Sequence, residues 1–304
     1  MKHTIKEWFF ATRPWGYSAS IIPALIAVSY LFYLYRLGEV TQPNWWYGLL
    51  AVLGAAVWQA SGNVLSDYFD YKNGVDRKET FGSSRMLVEK KFTPKEIYGL
   101  GMSLMAAGSV IGFFFLIKTY PSIHLWWVGT LAILGTYFYY LLKYRALGDL
   151  NILIIYGFLL SLGTYFVMTG MLSWNILLIS SPTGFLIVNI LHANNMRDIK
   201  HDRIANIKTQ AMQLGIKNSI RQYEILSYGA YAIILLCVVL GILHWIALTV
   251  FTTFPMLMRN IKIIRMAEEE QPERIKTMDA ATAQHLTAFG GVLVISNFIA
   301  GLIS

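Results

Sequence analysis

Carboxylates are scarce in this chain, and five of its seventeen Asp and Glu stand in two places. One is Asn63-Val-Leu-Ser-Asp67-Tyr-Phe-Asp70, with Asp76 close behind; the other is Asn194-Asn195-Met196-Arg197-Asp198-Ile199-Lys200-His201-Asp202. Each emerges from a long apolar run, where an ionisable residue marks a functional site by default. If the helices continue through the motifs, Asn63, Asp67 and Asp70 fall at i, i+4 and i+7, and Asn194, Asp198 and Asp202 at i, i+4 and i+8, one stripe each. Four carboxylates facing one another repel unless a cation sits between them. Mg2+ suits Asp67, Asp70, Asp198 and Asp202, because it takes oxygen ligands and combines one or two carboxylates with substrate phosphates. Zinc is disfavoured: His192 and His201 are nine residues apart and no Cys is near.

Basic residues accompany the acids: Lys72, Arg77 and Arg85 after the first cluster, Arg197, Arg203 and Lys208 around the second, and Lys143 and Arg145 between them. Acids and bases together at a membrane surface suit a phosphorylated lipid, its diphosphate bridged by Mg2+ and clamped by Arg or Lys. Arg77, Arg85, Arg145 and Lys208 are the candidates for the clamp. The rule that cytoplasmic loops retain positive charge accounts equally for any single one of them. The same acids would also serve an ion or lipid transporter, or cap the mouth of a loop. No phosphate-binding GxxxxGK[ST], no GxGxxG at a strand-to-helix turn and no G-x-S-x-G elbow is present.

The elements that must hold these residues are membrane helices. Hydrophobic residues make up 56% of the chain and charged residues 14%, against about a quarter charged in soluble domains. Apolar runs near the roughly 20 residues that cross a bilayer lie at 15–35, 45–66, 96–117, 122–142, 150–170, 174–193, 224–243, 245–258 and 285–303. The eighth is short. We expect an all-α polytopic fold: nine transmembrane helices in one bundle, 1–304 forming a single domain, with a central cavity open to the cytoplasmic side. Asn63 and Asn194 are 131 residues apart, as are Asp67 and Asp198. That offset suggests a repeated four-helix unit, about 1–145 and 146–280, followed by a ninth helix.

With the N-terminus in the cytoplasm, 23 of the 25 Lys and Arg fall on the inner side, leaving Arg36 and Lys118 outside. The net charge of +8 then follows from topology and contact with anionic lipid, with no nucleic-acid partner required. A cell inner or plasma membrane is the expected location. The N-terminal run is too long for a signal-peptide core and reads as a retained first helix, with Arg13-Pro14 suiting its start. Trp45, Trp46, Trp126, Trp127 and Trp174 stand near span ends as interfacial aromatics. The one cysteine, Cys237, lies in the seventh run and reads as a small core residue. At about 1.5 Å per residue, Asp67 lies roughly 30 Å beyond Trp46 and Asp198 roughly 36 Å beyond Trp174, so both stripes reach the same edge of the hydrocarbon.

At these residues the chain resembles the UbiA superfamily of membrane-embedded prenyltransferases, and within it the branch that prenylates 1,4-dihydroxy-2-naphthoate in menaquinone biosynthesis. The resemblance runs through Ala11-Thr12-Arg13-Pro14, Asn63 to Asp76, Gly82-Ser83-Ser84-Arg85, Tyr144 to Asp149, Gly163 to Gly170, and Asn194 to Arg203. It implies nine transmembrane helices, and Mg2+ held by Asp67, Asp70, Asp198 and Asp202 with Asn63 orienting or joining the first metal. Arg77, Arg85, Arg145, Lys208, Asn194 and Tyr139 would contact substrate. A polyprenyl diphosphate would ionise at its allylic C–O bond, and an aromatic ring carbon would attack the cation, shielded by Tyr137, Tyr139 and Tyr140. In the naphthoate case the ring then loses carbon dioxide. Two departures bear on the acceptor, with 4-hydroxybenzoate, homogentisate and a glycerophosphate lipid as the alternatives. Tyr137 to Leu142 replaces a Gly-Gly-Pro stretch of that branch, and Asn206-Ile207-Lys208-Thr209 replaces its Gly-Lys-Arg-Thr. Asn206 can still adopt the left-handed conformation that Gly would supply.

Overall fold

The computed structural model describes residues 3–119, 122 and 124–304. Lys2, counted above with the inner charges, lies outside them, as does Ile123 near the start of the fourth apolar run. A short helix α1 (Ile5–Ala11) opens the chain, capped reciprocally by Thr4 and Glu7. It leads through Arg13, whose left-handed backbone (φ 56°, ψ 60°) turns the chain into a 3₁₀ turn at Pro14–Gly16. Helix α2 (Ser18–Arg36) follows, then α3 (Trp45–Lys72), whose first turn is capped by Asn44. After a long loop, Thr93 and Glu96 form a second reciprocal cap and Pro94 opens α4 (Pro94–Lys118).

Helices α5 (His124–Tyr137) and α6 (Tyr139–Lys143) run in succession. The next crossing is composite: α7 (Gly148–Ile152), a π-helical segment Leu153–Leu159 and α8 (Leu160–Thr169). Helix α9 (Trp174–Ile204) is the longest and lines up most of its residues with the core. Helix α10 (Gln210–Val239) breaks at Gly215, where φ is 72°. A 3₁₀ segment Trp245–Thr253, α11 (Phe254–Ile264) and α12 (Met278–Ile303) complete the chain.

Helices α2, α9 and α12 form the centre, with Ile26, Leu31, Ile176, Leu186, Leu286 and Phe289 all excluded from solvent. Small residues let backbones approach where no hydrophobic drive exists between helices in lipid. The π-helical turn uses this: a Cβ on Gly184 of α9 would stand 2.5 Å from the Gly157 Cα. Ser180 seals the same contact by donating to the Gly157 carbonyl at 2.7 Å. Outward, Trp46 and Trp174 are 75% and 86% exposed, as aromatics at a membrane interface should be.

Among the described residues, seven helices are long and apolar enough to cross a membrane, not nine. The two other runs, 122–142 and 245–258, form shorter pieces. The first is interrupted at Phe138 between α5 and α6, and the second is divided between 3₁₀ and α-helix, so neither yields one continuous long helix.

Candidate active site

Both motif helices continue through their acids. Helix α3 ends at Lys72 and α9 at Ile204, so Asp67, Asp70, Asp198 and Asp202 are all helical. The two ends face one polar cavity of about 90 Å³, walled by Asp67, Asp70, Asp76, Asp198 and Asp202 with Arg13, Lys143 and Arg197. Five carboxylates there confront three cations. Tyr139 and Asn194 stand in its wall and also in that of an adjoining cavity of about 260 Å³, which includes Asn63, Gln59 and Asp279. That space in turn shares Gln59, Thr136, Ile155 and Tyr156 with a third cavity of about 400 Å³. The third is lined mainly by apolar side chains from α3, α4, α5 and the composite crossing, Trp58, Phe113 and Leu125 among them. Polarity therefore falls from the acid cluster inward.

Each acid of α3 is held by a cation from elsewhere in the chain. Arg13 Nη1 donates to Asp67 Oδ1 at 3.1 Å, and the Ser84 backbone N–H donates to Oδ2 at 2.7 Å. Lys143 Nζ lies 2.9 Å from Asp70 Oδ2, and the Tyr144 hydroxyl donates to Oδ1 at 2.6 Å. On α9, Arg197 forks onto its neighbour Asp198, with Nε to Oδ1 at 2.9 Å and Nη2 to Oδ2 at 2.7 Å. The same guanidinium donates to the Lys276 carbonyl and pairs with Asp279. Phe81 of the α3–α4 loop is flanked by Arg197 and Lys276, each 5.3 Å from its ring centre.

Two carboxylates in the wall carry no ion pair. Asp202 is 3% exposed and its Oδ2 has no hydrogen-bond partner. Asp76, in the loop, is pushed up to about 7 by burial first and then by the Asp70 and Asp67 charges. Asn194 Oδ1 is likewise buried without a partner.

The expected clamp is placed differently. Arg77, Arg85, Arg145 and Lys208 are not in the cavity wall. Arg77 donates to the carbonyls of Gly74 and His201, tying the loop to the end of α9. Arg85 donates to the Thr80 carbonyl at 3.1 Å and pairs with Glu89 at 3.3 Å. Arg145 and Lys208 meet through their backbones, the Lys208 N–H donating to the Tyr144 carbonyl. Asn206 takes the left-handed conformation expected of it, φ 55°. Asn63 stands one cavity away, donating to the Thr12 carbonyl at 3.0 Å and accepting from Gln59 at 2.9 Å. It braces the Arg13 turn.

Sequence reasoning gave no role to Asp76 and read Arg13-Pro14 as helix punctuation. It named Lys143 and Arg197 only among the surrounding bases. Lys143, the last residue of α6, reaches Asp70 just before the turn at Tyr144 to Leu147, where Ala146 is left-handed (φ 60°). Behind that turn Asp149 is buried with His192 Nδ1 2.7 Å away and Gln222 donating at 3.0 Å.

The site fits Mg2+. Its donors are all oxygen, Asp202 offers an uncommitted buried carboxylate oxygen, and Mg2+ needs only one or two carboxylates when substrate phosphates complete its shell. Among the described residues no three His, Cys, Asp or Glu side chains are placed to hold a metal ion by themselves, so substrate phosphates would have to complete the shell.

An all-helical membrane fold with an acid- and cation-walled cavity backed by an apolar one is the class defined here. The chain belongs to the UbiA prenyltransferase family, whose profile matches residues 20–289. It is 32% identical over 235 residues to UbiA prenyltransferase domain-containing protein 1 of Rattus norvegicus, covering 75% of this chain and 66% of that protein. Across the first animal relatives the chain spans 64% to 68% of their length. It is 25% identical to the 1,4-dihydroxy-2-naphthoate octaprenyltransferase of Bacillus subtilis, over 95% of this chain and 91% of that one. A solved structure of a UbiA homolog from Archaeoglobus fulgidus, bound to GPP and Mg2+, shares the fold with a TM-score of 0.58 at 14% identity, over 94% of this chain and 99% of that one. With seven helices long and apolar enough to cross a membrane among the described residues, the chain is an integral membrane member of that family.

Proposed function

We propose that the chain transfers a polyprenyl group from a polyprenyl diphosphate to an aromatic acceptor, 1,4-dihydroxy-2-naphthoate, with Mg2+ as cofactor. The observation that carries this reading is the meeting of five carboxylates and three cations in one cavity, with an apolar cavity of about 400 Å³ beyond it. A diphosphate suits the first and a prenyl chain the second. The relative from Bacillus subtilis, named for the naphthoate reaction and similar over nearly its whole length, supports the acceptor.

Asp67, Asp70, Asp198 and Asp202 would hold Mg2+, with Asp76 alongside. Bound there, the metal would neutralise charge on the diphosphate and make it a better leaving group. Arg13, Lys143 and Arg197 line the same wall and would stabilise the departing diphosphate, a preorganised role worth several kcal/mol in a water-poor site. The allylic C–O bond breaks with its electron pair on the diphosphate oxygen. Tyr139, at the boundary of the polar and middle cavities, would shield the carbon cation with its ring. The acceptor would occupy the middle cavity, where Arg13 and Asn63 reach its polar edge. Its ring carbon supplies the pair for the new C–C bond, and loss of carbon dioxide restores aromaticity.

This reading brings with it a nine-span topology, in which α5 with α6 and the 3₁₀ segment with α11 supply the two shorter crossings. The two four-helix units would place both motifs at one membrane face, cytoplasmic by the distribution of Lys and Arg. The test is a mass-spectrometric product assay: purified protein, Mg2+, polyprenyl diphosphates of several lengths and a panel of acceptors. Prenylated, decarboxylated naphthoate product is expected. Product with 4-hydroxybenzoate or homogentisate instead would reassign the acceptor, and no product with any acceptor would overturn the reading.

A further inference from the structure

Six carboxylate oxygens in the cavity wall are already engaged. Both oxygens of Asp67 accept, from Arg13 and the Ser84 N–H. Both of Asp70 accept, from Lys143 and Tyr144, and both of Asp198 accept from Arg197. A divalent ion seeking these oxygens competes with a guanidinium or ammonium for each acid. These pairs are shielded from water: the cation side chains are 26%, 15% and 3% exposed and the acids 6%, 9% and 18%. Removing either partner alone from such a pair leaves a poorly compensated charge.

A diphosphate changes that balance. Its oxygens are good acceptors for Arg and Lys, and Arg13, Lys143 and Arg197 all line the cavity that would receive it. Each cation that turns to a phosphate oxygen frees a carboxylate for metal, and each metal bound to a carboxylate frees a cation for phosphate. Among the described carboxylates of the wall, Asp202, with its unpartnered Oδ2, and the unpaired Asp76 are open to a metal beforehand.

Resting on the diphosphate reading above, we infer that Arg13, Lys143 and Arg197 act in turn as counter-ions of Asp67, Asp70 and Asp198 and as the clamp on the diphosphate, so that metal and diphosphate bind as one coupled exchange of partners. Divalent metal alone then binds weakly, through Asp202 and Asp76. By linkage, each ligand raises the affinity of the other by the same factor.

The test is Mn2+ binding to the purified full chain, read from the free-ion electron paramagnetic resonance signal and displaced by Mg2+, with and without inorganic diphosphate. A protein-free titration corrects for the metal–diphosphate complex. Wild type should bind Mn2+ about tenfold more tightly with diphosphate present, within the usual range of coupling between sites. Lys143→Met should bind Mn2+ alone more tightly than wild type and gain less from diphosphate. Arg13→Gln, at a partly exposed position, provides the same comparison if the lysine variant fails to fold. Equal Mn2+ affinity of wild type with and without diphosphate overturns the exchange, as does absence of tightening in every folded variant. Prenyl transfer assayed on the same wild-type sample separates the two readings. Transfer without coupling removes the exchange and leaves the function; coupling without transfer to any acceptor does the reverse.

Discussion

The ends of α3 and α9 carry similar acidic stripes and reach the same cavity, yet they are neutralised differently. On α3, Asp67 and Asp70 depend on cations 54 and 73 residues away, Arg13 and Lys143. On α9, Asp198 is served by its chain neighbour Arg197, and Asp202 keeps an oxygen without a partner. The α3 stripe is thus assembled by tertiary structure, whereas the α9 stripe is largely assembled by its own helix. On the proposed reading, the free oxygen of Asp202 would make α9, with the nearby Asp76, a first foothold for metal.

Substitutions that break this contrast should differ in kind. Asp202→Asn removes the uncommitted carboxylate and should lower Mg2+-dependent prenyl transfer by about 100-fold or more, the scale seen when a preorganised electrostatic group is lost. It should also weaken Mn2+ binding in the absence of diphosphate, whereas Asp67→Asn should spare that binding while still abolishing most turnover. Next in size, Arg197→Gln strips a buried guanidinium from Asp198, Asp279 and the Lys276 carbonyl. Breaking a buried pair costs about 3–5 kcal/mol, so its thermal midpoint should fall well below that of wild type.

Asp149→Asn should cost about 1–3 kcal/mol, the scale for leaving a buried partner unsatisfied, because His192 loses its carboxylate. Its effect on turnover should act through the Lys143 turn and be smaller than that of Lys143→Met. The smallest effects belong to Arg145→Ala and Lys208→Ala. Their meeting is made by backbone atoms, so turnover should stay within about threefold of wild type, under the roughly 1.4 kcal/mol that marks a tenfold change. A large loss of activity in either would restore the cations that the sequence suggested as the clamp.

Helix periodicity made much of this legible. The stripe at Asn63, Asp67 and Asp70, the apolar runs and the common depth of both motifs followed from spacing alone, and α3 and α9 extend through their acids as expected. What spacing could not convey was which cation meets which acid. Part of that lies in non-helical backbone: the left-handed Arg13 before Pro14, and left-handed Ser83 and Arg85 beside the Ser84 N–H. Such conformations are uncommon outside Gly and depend on the surrounding tertiary structure. For that reason Arg77 and Arg85, near the acids in sequence, bond backbone carbonyls, while Arg13 reaches Asp67 from the start of the chain. The segments 122–142 and 245–258 were apolar enough to suggest crossings, but hydropathy does not register the break at Phe138 or the 3₁₀ start of the second segment.

The most direct measurement is diphosphate release from a polyprenyl diphosphate by purified wild type, Asp67→Asn and Asp202→Asn, with Mg2+ and dihydroxynaphthoate and with thermal melts verifying the fold. If α3 and α9 supply two halves of one site, each folded variant should lose about 100-fold or more of the wild-type rate. Near-wild-type release by either folded variant would contradict a shared metal–diphosphate site.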